Sequence, residues 1–133
     1  MLHRAGEILA FAALIWVVAH AVYAPGRITF HRLHGAIVVY LSLATIFASV
    51  YSLVRGLSPD AFANLPAPVG GPEEVGSMLY FSLTMLITTG YGDIVAADPF
   101  ARSLANFESV LGQFYLAITV ARLVTLELAD RHR

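Results

Sequence analysis

Apolar positions along this chain gather in long unbroken runs, not in the alternation of half-buried strands. Ala5 to Ala24 is the first run, about 20 residues and so about 30 Å as a helix, enough to cross a bilayer. It is apolar all round, which predicts a spanning helix and argues against one lying on a membrane surface. Pro25 and Gly26 end it. Gly35 to Val54 is a second crossing of about the same length, and Ala101 to Leu128 is a third, long enough to extend past the hydrocarbon core. Between these two, Ser77 to Ile87 is a shorter aromatic-bearing apolar segment of about three helical turns. The polar connectors differ in charge. One, before Gly35, carries Arg27, His31, Arg32 and His34 without an acid; the next, 55–72, is rich in Pro and Gly, holds Asp60 and is followed by Glu73 and Glu74. The last contains Asp93, Asp98 and Pro99. The pattern predicts an all-α membrane protein.

Composition agrees. Of 133 residues 58% are hydrophobic and only 13% charged, where a soluble domain carries about 25% charged residues. The mean hydropathy is +0.72. A formal net charge of −1 gives no nucleic-acid signal. With no cysteine there is neither a disulfide framework nor a thiolate metal site. The length fits one domain and leaves no room for an appended ligand-binding or nucleotide-binding module. A rival reading of the first run is a secretory signal peptide, with Arg4 ahead of it and Ala19-His20-Ala21 as cleavage site; Glu7 spoils the basic region that such a leader needs.

Basic connectors stay cytoplasmic, which places 25–34 inside and 55–72 outside. Asp60, Glu73, Glu74, Asp93 and Asp98 then make an acidic outer face. Three crossings put Arg4 outside, a translocation that so short a tail permits.

The stretch that carries chemistry is Thr88-Thr89-Gly90-Tyr91-Gly92-Asp93. Gly90 and Gly92 take positive φ without a Cβ penalty, so successive carbonyls can turn to one side and form a ladder of oxygens. A lone Gly-Tyr-Gly is a common turn. The six-residue run, with an apolar helix ahead and Asp98-Pro99 breaking the chain before the long apolar helix behind, is more specific. It resembles the TVGYG filter of potassium channels, with Thr89 in place of Val, and the order around it resembles the pore module of prokaryotic potassium channels over roughly Gly35 to Leu128.

What the resemblance implies can be laid out along the chain. Residues 35–133 would form the pore domain, while residues 1–34, an extra amino-terminal transmembrane helix and basic connector, depart from the two-crossing pattern of the family. Its parts are an outer helix 35–54, a turret 55–72, a pore helix 73–87, a filter 88–93 and an inner helix 101–128. Potassium ions, the permeant species, would be held at Thr88, Thr89, Gly90 and Tyr91, with Gly92 completing the filter and Asp93 at the outer mouth. Thr88 would add its hydroxyl, and Tyr91 would pack behind the filter with Tyr80 and Phe81 as neighbours. The assembly would be a fourfold homotetramer in the plasma membrane, its re-entrant loop facing outside. Irregular backbone within a bilayer must be enclosed by protein or line water, and one chain cannot enclose its own filter. Pro72 would open the pore helix, with Glu73 and Glu74 at its positive end.

In the inner helix Gly112 is a hinge candidate, or else a point of close helix approach. Gln113, Leu116, Val120 and Val124 share one stripe, and rings of the last three would close a pore by dewetting, although plain bundle packing would use the same residues. Glu108, Arg122 and His20 are ionisable groups inside predicted spans, candidates for proton sensing or for structural pairing. Arginines at three-residue spacing are lacking, so no voltage sensor is visible, and nothing resembles a catalytic constellation. Three functions stay open: a potassium-selective channel, a weakly selective cation channel of the same fold, and a non-conducting assembly or modulatory subunit.

Overall fold

The computed structural model describes Gly6, Ala13, Trp16 and His20 individually and residues 30–65, 68 and 70–131. The expected first crossing and most of the basic connector therefore lie outside the described residues; the four single positions are helical.

Three helices make up the described chain: α1, Phe30–Leu57; α2, Pro72–Leu86; and α3, Pro99–Arg131. Two of them, over His34–Leu57 and Pro99–Thr125, are long and apolar enough to cross a membrane. The helix α1 starts five residues earlier than Gly35, because Phe30 to His34 contains no breaker and Pro25-Gly26 lies upstream. Its hydroxyls turn inward on the helix itself. Ser42 Oγ donates to the Val38 carbonyl (2.7 Å), Thr45 Oγ1 to Leu41 (3.1 Å) and Ser49 Oγ to Thr45 (3.0 Å), which satisfies polar atoms in an apolar span.

After α1 the segment expected as an irregular turret is partly ordered. A 3₁₀ turn, Pro59–Ala61, leads into β1, Phe62–Ala63, which pairs antiparallel with β2, Val95–Ala96, in the register Phe62↔Ala96 and Ala63↔Val95. The amides of Ala97 and Asp98 also reach the Ala61 carbonyl, at 2.8 and 3.2 Å. This small ribbon ties the chain before α2 to the chain after it, so both ends of the segment that carries α2 are fixed.

At the start of α2 Pro72 occupies the first turn, where its missing amide hydrogen is no loss, and Glu73 and Glu74 sit at the positive helix end. Glu74 is fully buried and accepts a hydrogen bond from the Gly70 amide. The helix stops at Leu86; Ile87, expected as its last residue, is already in a turn. The third helix begins at Pro99, two residues before the expected Ala101. Asp98 caps it, its carboxylate accepting the amides of Phe100 (2.8 Å) and Ala101 (3.4 Å).

The core lies where α1, β1, α2 and the first turns of α3 meet. At its centre Tyr51, Phe62 and Phe81 form three edge-to-face pairs with centroids 5.1 to 5.6 Å apart. Such pairs contribute roughly 0.5–1.5 kcal/mol each beyond their buried area. Burial is lopsided: 44% of the most apolar 18-residue stretch of α1 is buried but only 11% of that of α3. Phe100, Phe107, Val110, Phe114 and Ile118 of α3 are all exposed on the single chain.

Candidate functional site

The site grows from the carboxyl end of α2. Its last-turn carbonyls have no partners within the helix, and the chain folds back to supply them. Ile87 N donates to Leu83 O (3.1 Å), Thr88 N to Met85 O (3.0 Å), and both Thr89 N and Gly90 N to Thr84 O (2.9 and 3.2 Å). From there the backbone changes character. Thr88, Gly90 and Gly92 have φ of 58°, 52° and 78°, whereas Thr89 and Tyr91 are not in the positive region. Residues of positive and negative φ thus alternate, a pattern that can turn successive carbonyls toward one side. Among the described residues no backbone N–H donates to a carbonyl of Thr88–Gly92. Residues 87–93 are exposed on the single chain. The result is a row of unconsumed carbonyl oxygens.

Thr88 was not foreseen as a left-handed residue. A β-branched side chain there carries a backbone penalty of about 1–3 kcal/mol, a strain that surrounding structure has to hold in place. Three contacts fix the two residues just before this strained turn. Tyr40 OH of α1 donates to the Leu86 carbonyl (3.1 Å), and Ser109 Oγ of α3 donates to the Met85 carbonyl (2.8 Å). Gly112 lets α3 approach so closely that a Cβ built on it would lie 2.4 Å from the Leu86 carbonyl oxygen. Tyr115 stacks on Tyr40 (5.6 Å, 30°) and bonds the Ala36 carbonyl (2.7 Å). The two long helices thus grip the end of α2 directly below Thr88.

Beyond the glycines Tyr91 stacks flat on Tyr80, with centroids 6.4 Å apart and planes 4° from parallel. Phe81, the other expected neighbour, instead fills the core, since the next residue on a helix faces a different side. The Tyr80 hydroxyl also hydrogen-bonds Asp93 and holds its carboxyl below the usual carboxylate range. Asp93 and Tyr80 border an open pocket of about 370 Å³ shared with Asn64 and Ser77.

Behind the site Glu108 of α3 is fully buried, with Ser82 of α2 and Tyr51 of α1, also fully buried, at its two carboxyl oxygens. Ser82 Oγ lies 2.8 Å from the Ala44 carbonyl as well. Further along α3, Leu116 and Val120 border an apolar groove of about 200 Å³ against Ile37, Tyr40 and Leu41, and Val124 is exposed. Gln113 and His20 are exposed and Arg122 is half-buried. The structure thus brings Thr88–Asp93, Tyr80, Tyr40, Ser109, Gly112 and Leu86 into one cluster. Tyr40, Ser82 and Ser109 escaped the sequence reading; hydroxyls in otherwise apolar spans were the available signal.

A protein-family model described as an ion channel matches residues 28–127. No curated protein and no solved structure matches the chain.

Proposed function

The chain belongs to the two-helix ion channel family, and on that premise we propose that it forms a potassium-selective pore. The observation that carries this reading is the alternation of backbone sign at Thr88, Gly90 and Gly92. Carbonyl cages built this way replace the hydration shell of a bare monovalent cation without any charged side chain. Potassium ions would sit at the oxygens of Thr88, Thr89, Gly90 and Tyr91. Asp93 would mark the outer mouth.

Assembly follows from exposure. A row of open carbonyls has to face other protein or water, not lipid, and an inner helix that the single chain leaves largely uncovered offers a surface to neighbouring copies. Identical chains about a fourfold axis satisfy both at once. In this reading α1 is the outer helix, α2 the pore helix and α3 the inner helix, with 1–34 adding one further crossing. The basic connector stays cytoplasmic, the filter faces outside, and the plasma membrane is the host. Leu116, Val120 and Val124 remain the gate residues of this proposal. Gly112 is better accounted for as the contact that seats α3 on Leu86 than as a hinge.

The test is cation flux in liposomes that contain only this chain. Potassium flux far above sodium flux is the expected result. Equal flux of both ions would support a weakly selective channel of the same fold, and no flux from assembled protein would favour a modulatory subunit.

A further inference from the structure

The hydroxyl and carboxyl contacts around Glu108 have to be counted in protons. Three short oxygen–oxygen contacts link the cluster: Tyr51 to one carboxyl oxygen of Glu108, Ser82 to the other, and Ser82 to the Ala44 carbonyl, 2.8 Å away. A tyrosine and a serine hydroxyl bring one proton each, and a carboxylate or a carbonyl brings none. With Glu108 ionised there are two protons for three contacts. Ser82 would then face an acceptor across an O···O gap of hydrogen-bond length with nothing between them. With Glu108 protonated the count closes. Its acid proton goes to Ser82 Oγ, Ser82 donates onward to Ala44, and Tyr51 donates to the remaining carboxyl oxygen.

We propose that Glu108 is a neutral carboxylic acid whose proton is a bound ligand of the fold, joining α3 to α2 and, through Ser82, to α1. The surroundings agree. The groups that act on Glu108 are the hydroxyls of Ser82 and Tyr51, with no cationic side chain among them. Tyr40 also faces it electrostatically from α1. Arg55 lies a full turn beyond Tyr51 on α1, Glu74 about two turns before Ser82 on α2, and within one turn of Glu108 on α3 there is no other ionisable residue. An unpaired carboxylate so placed is strongly disfavoured, whereas the neutral acid is fully hydrogen-bonded.

The site sits on the pore helix about one turn before the filter-bearing end of α2, so the proton braces the element that positions Thr88. Protein that holds a proton when folded loses stability as pH rises, because the unfolded carboxyl would release it. Alkaline solution therefore removes the Ser82–Ala44 link first.

Infrared difference spectroscopy of the purified full chain tests this. At neutral pH the parent should show the carbonyl-stretch band of a protonated carboxylic acid, which E108Q lacks and S82A shifts in frequency because its acceptor is gone. E108Q keeps the same contacts, its amide donating to Ser82 and accepting from Tyr51, and should assemble like the parent. Should E108Q fail to assemble, the S82A shift still decides. No such band in the parent, or a band unchanged in both variants, overturns the proposal. The functional consequence rests on the channel reading: parental potassium flux should fall at alkaline pH and that of E108Q should not. A band without flux would sink the channel reading alone, and flux without the band would sink this one.

Discussion

Replacing Gly112 by alanine adds one methyl group where α3 comes up against the backbone of Leu86. That Cβ would lie 2.4 Å from the Leu86 carbonyl oxygen, 3.0 Å from its Cδ1 and 3.2 Å from its carbonyl carbon. Ordinary contact begins near 3.4 Å, so one partner has to give way by about 1 Å. A flexible side chain could do so at little cost, but the obstacle here is backbone. It is also backbone held by Tyr40 and followed two residues later by the strained Thr88. Overpacking of this kind costs typically about 1–3 kcal/mol per subunit. The gain in helix propensity from Gly to Ala offsets about 1 kcal/mol at most. The net is loss, and it falls on the end of α2 that positions the filter. Gly112→Ala should therefore lower thermal stability and reduce potassium-over-sodium selectivity together, read by calorimetry and by liposome flux. A pure hinge would instead change open probability and leave selectivity alone. Parental selectivity together with parental stability in Gly112→Ala would refute the packing argument.

Gly90→Ala places no atom against the chain, since the nearest side-chain atom to the new Cβ is 3.8 Å away. Its penalty is the left-handed backbone alone, about 1–2 kcal/mol per subunit, and the assembled protein should lose selective flux; selective flux like that of the parent would remove the filter assignment. Tyr80→Phe deletes the hydrogen bond that holds Asp93 below the usual carboxylate range. That interaction is present at neutral pH and lost as pH falls through the lowered value, so acid should impair flux at a higher pH in the variant than in the parent, and identical acid midpoints would discount the pair. A cysteine at Ser58 should react with an impermeant thiol reagent from outside and one at Thr29 should not; the reverse would invert the topology. Val120→Asn should raise resting open probability by wetting an apolar ring, and an unchanged value in single-channel recordings would move the gate elsewhere.

Part of the Thr88–Gly92 backbone was legible because glycine writes its conformation into the sequence. Gly90 and Gly92 announce positive φ, but Thr88 does not, since its local preference is the opposite and only the grip of Tyr40, Ser109 and Gly112 on α2 imposes it. The helices were legible from their apolar runs. Their ends shifted by a few residues because nothing between Phe30 and Gly35 breaks a helix and Asp98-Pro99 starts one. The ribbon of Phe62–Ala63 with Val95–Ala96 was invisible, as two-residue strands are too short to show alternation. Glu108 was marked as an intramembrane acid, yet its partners Ser82 and Tyr51 sit 26 and 57 positions away, and no period in one sequence joins them.

The most direct measurement of the central claim is a density map of the purified assembly in potassium and again in sodium. In potassium the account predicts a fourfold axis lined by the carbonyls of Thr88 to Tyr91, with ion density at their level that changes when sodium replaces it. An assembly whose Thr88–Gly92 segments do not converge on an axis, or an axis empty of ions in potassium, would contradict it.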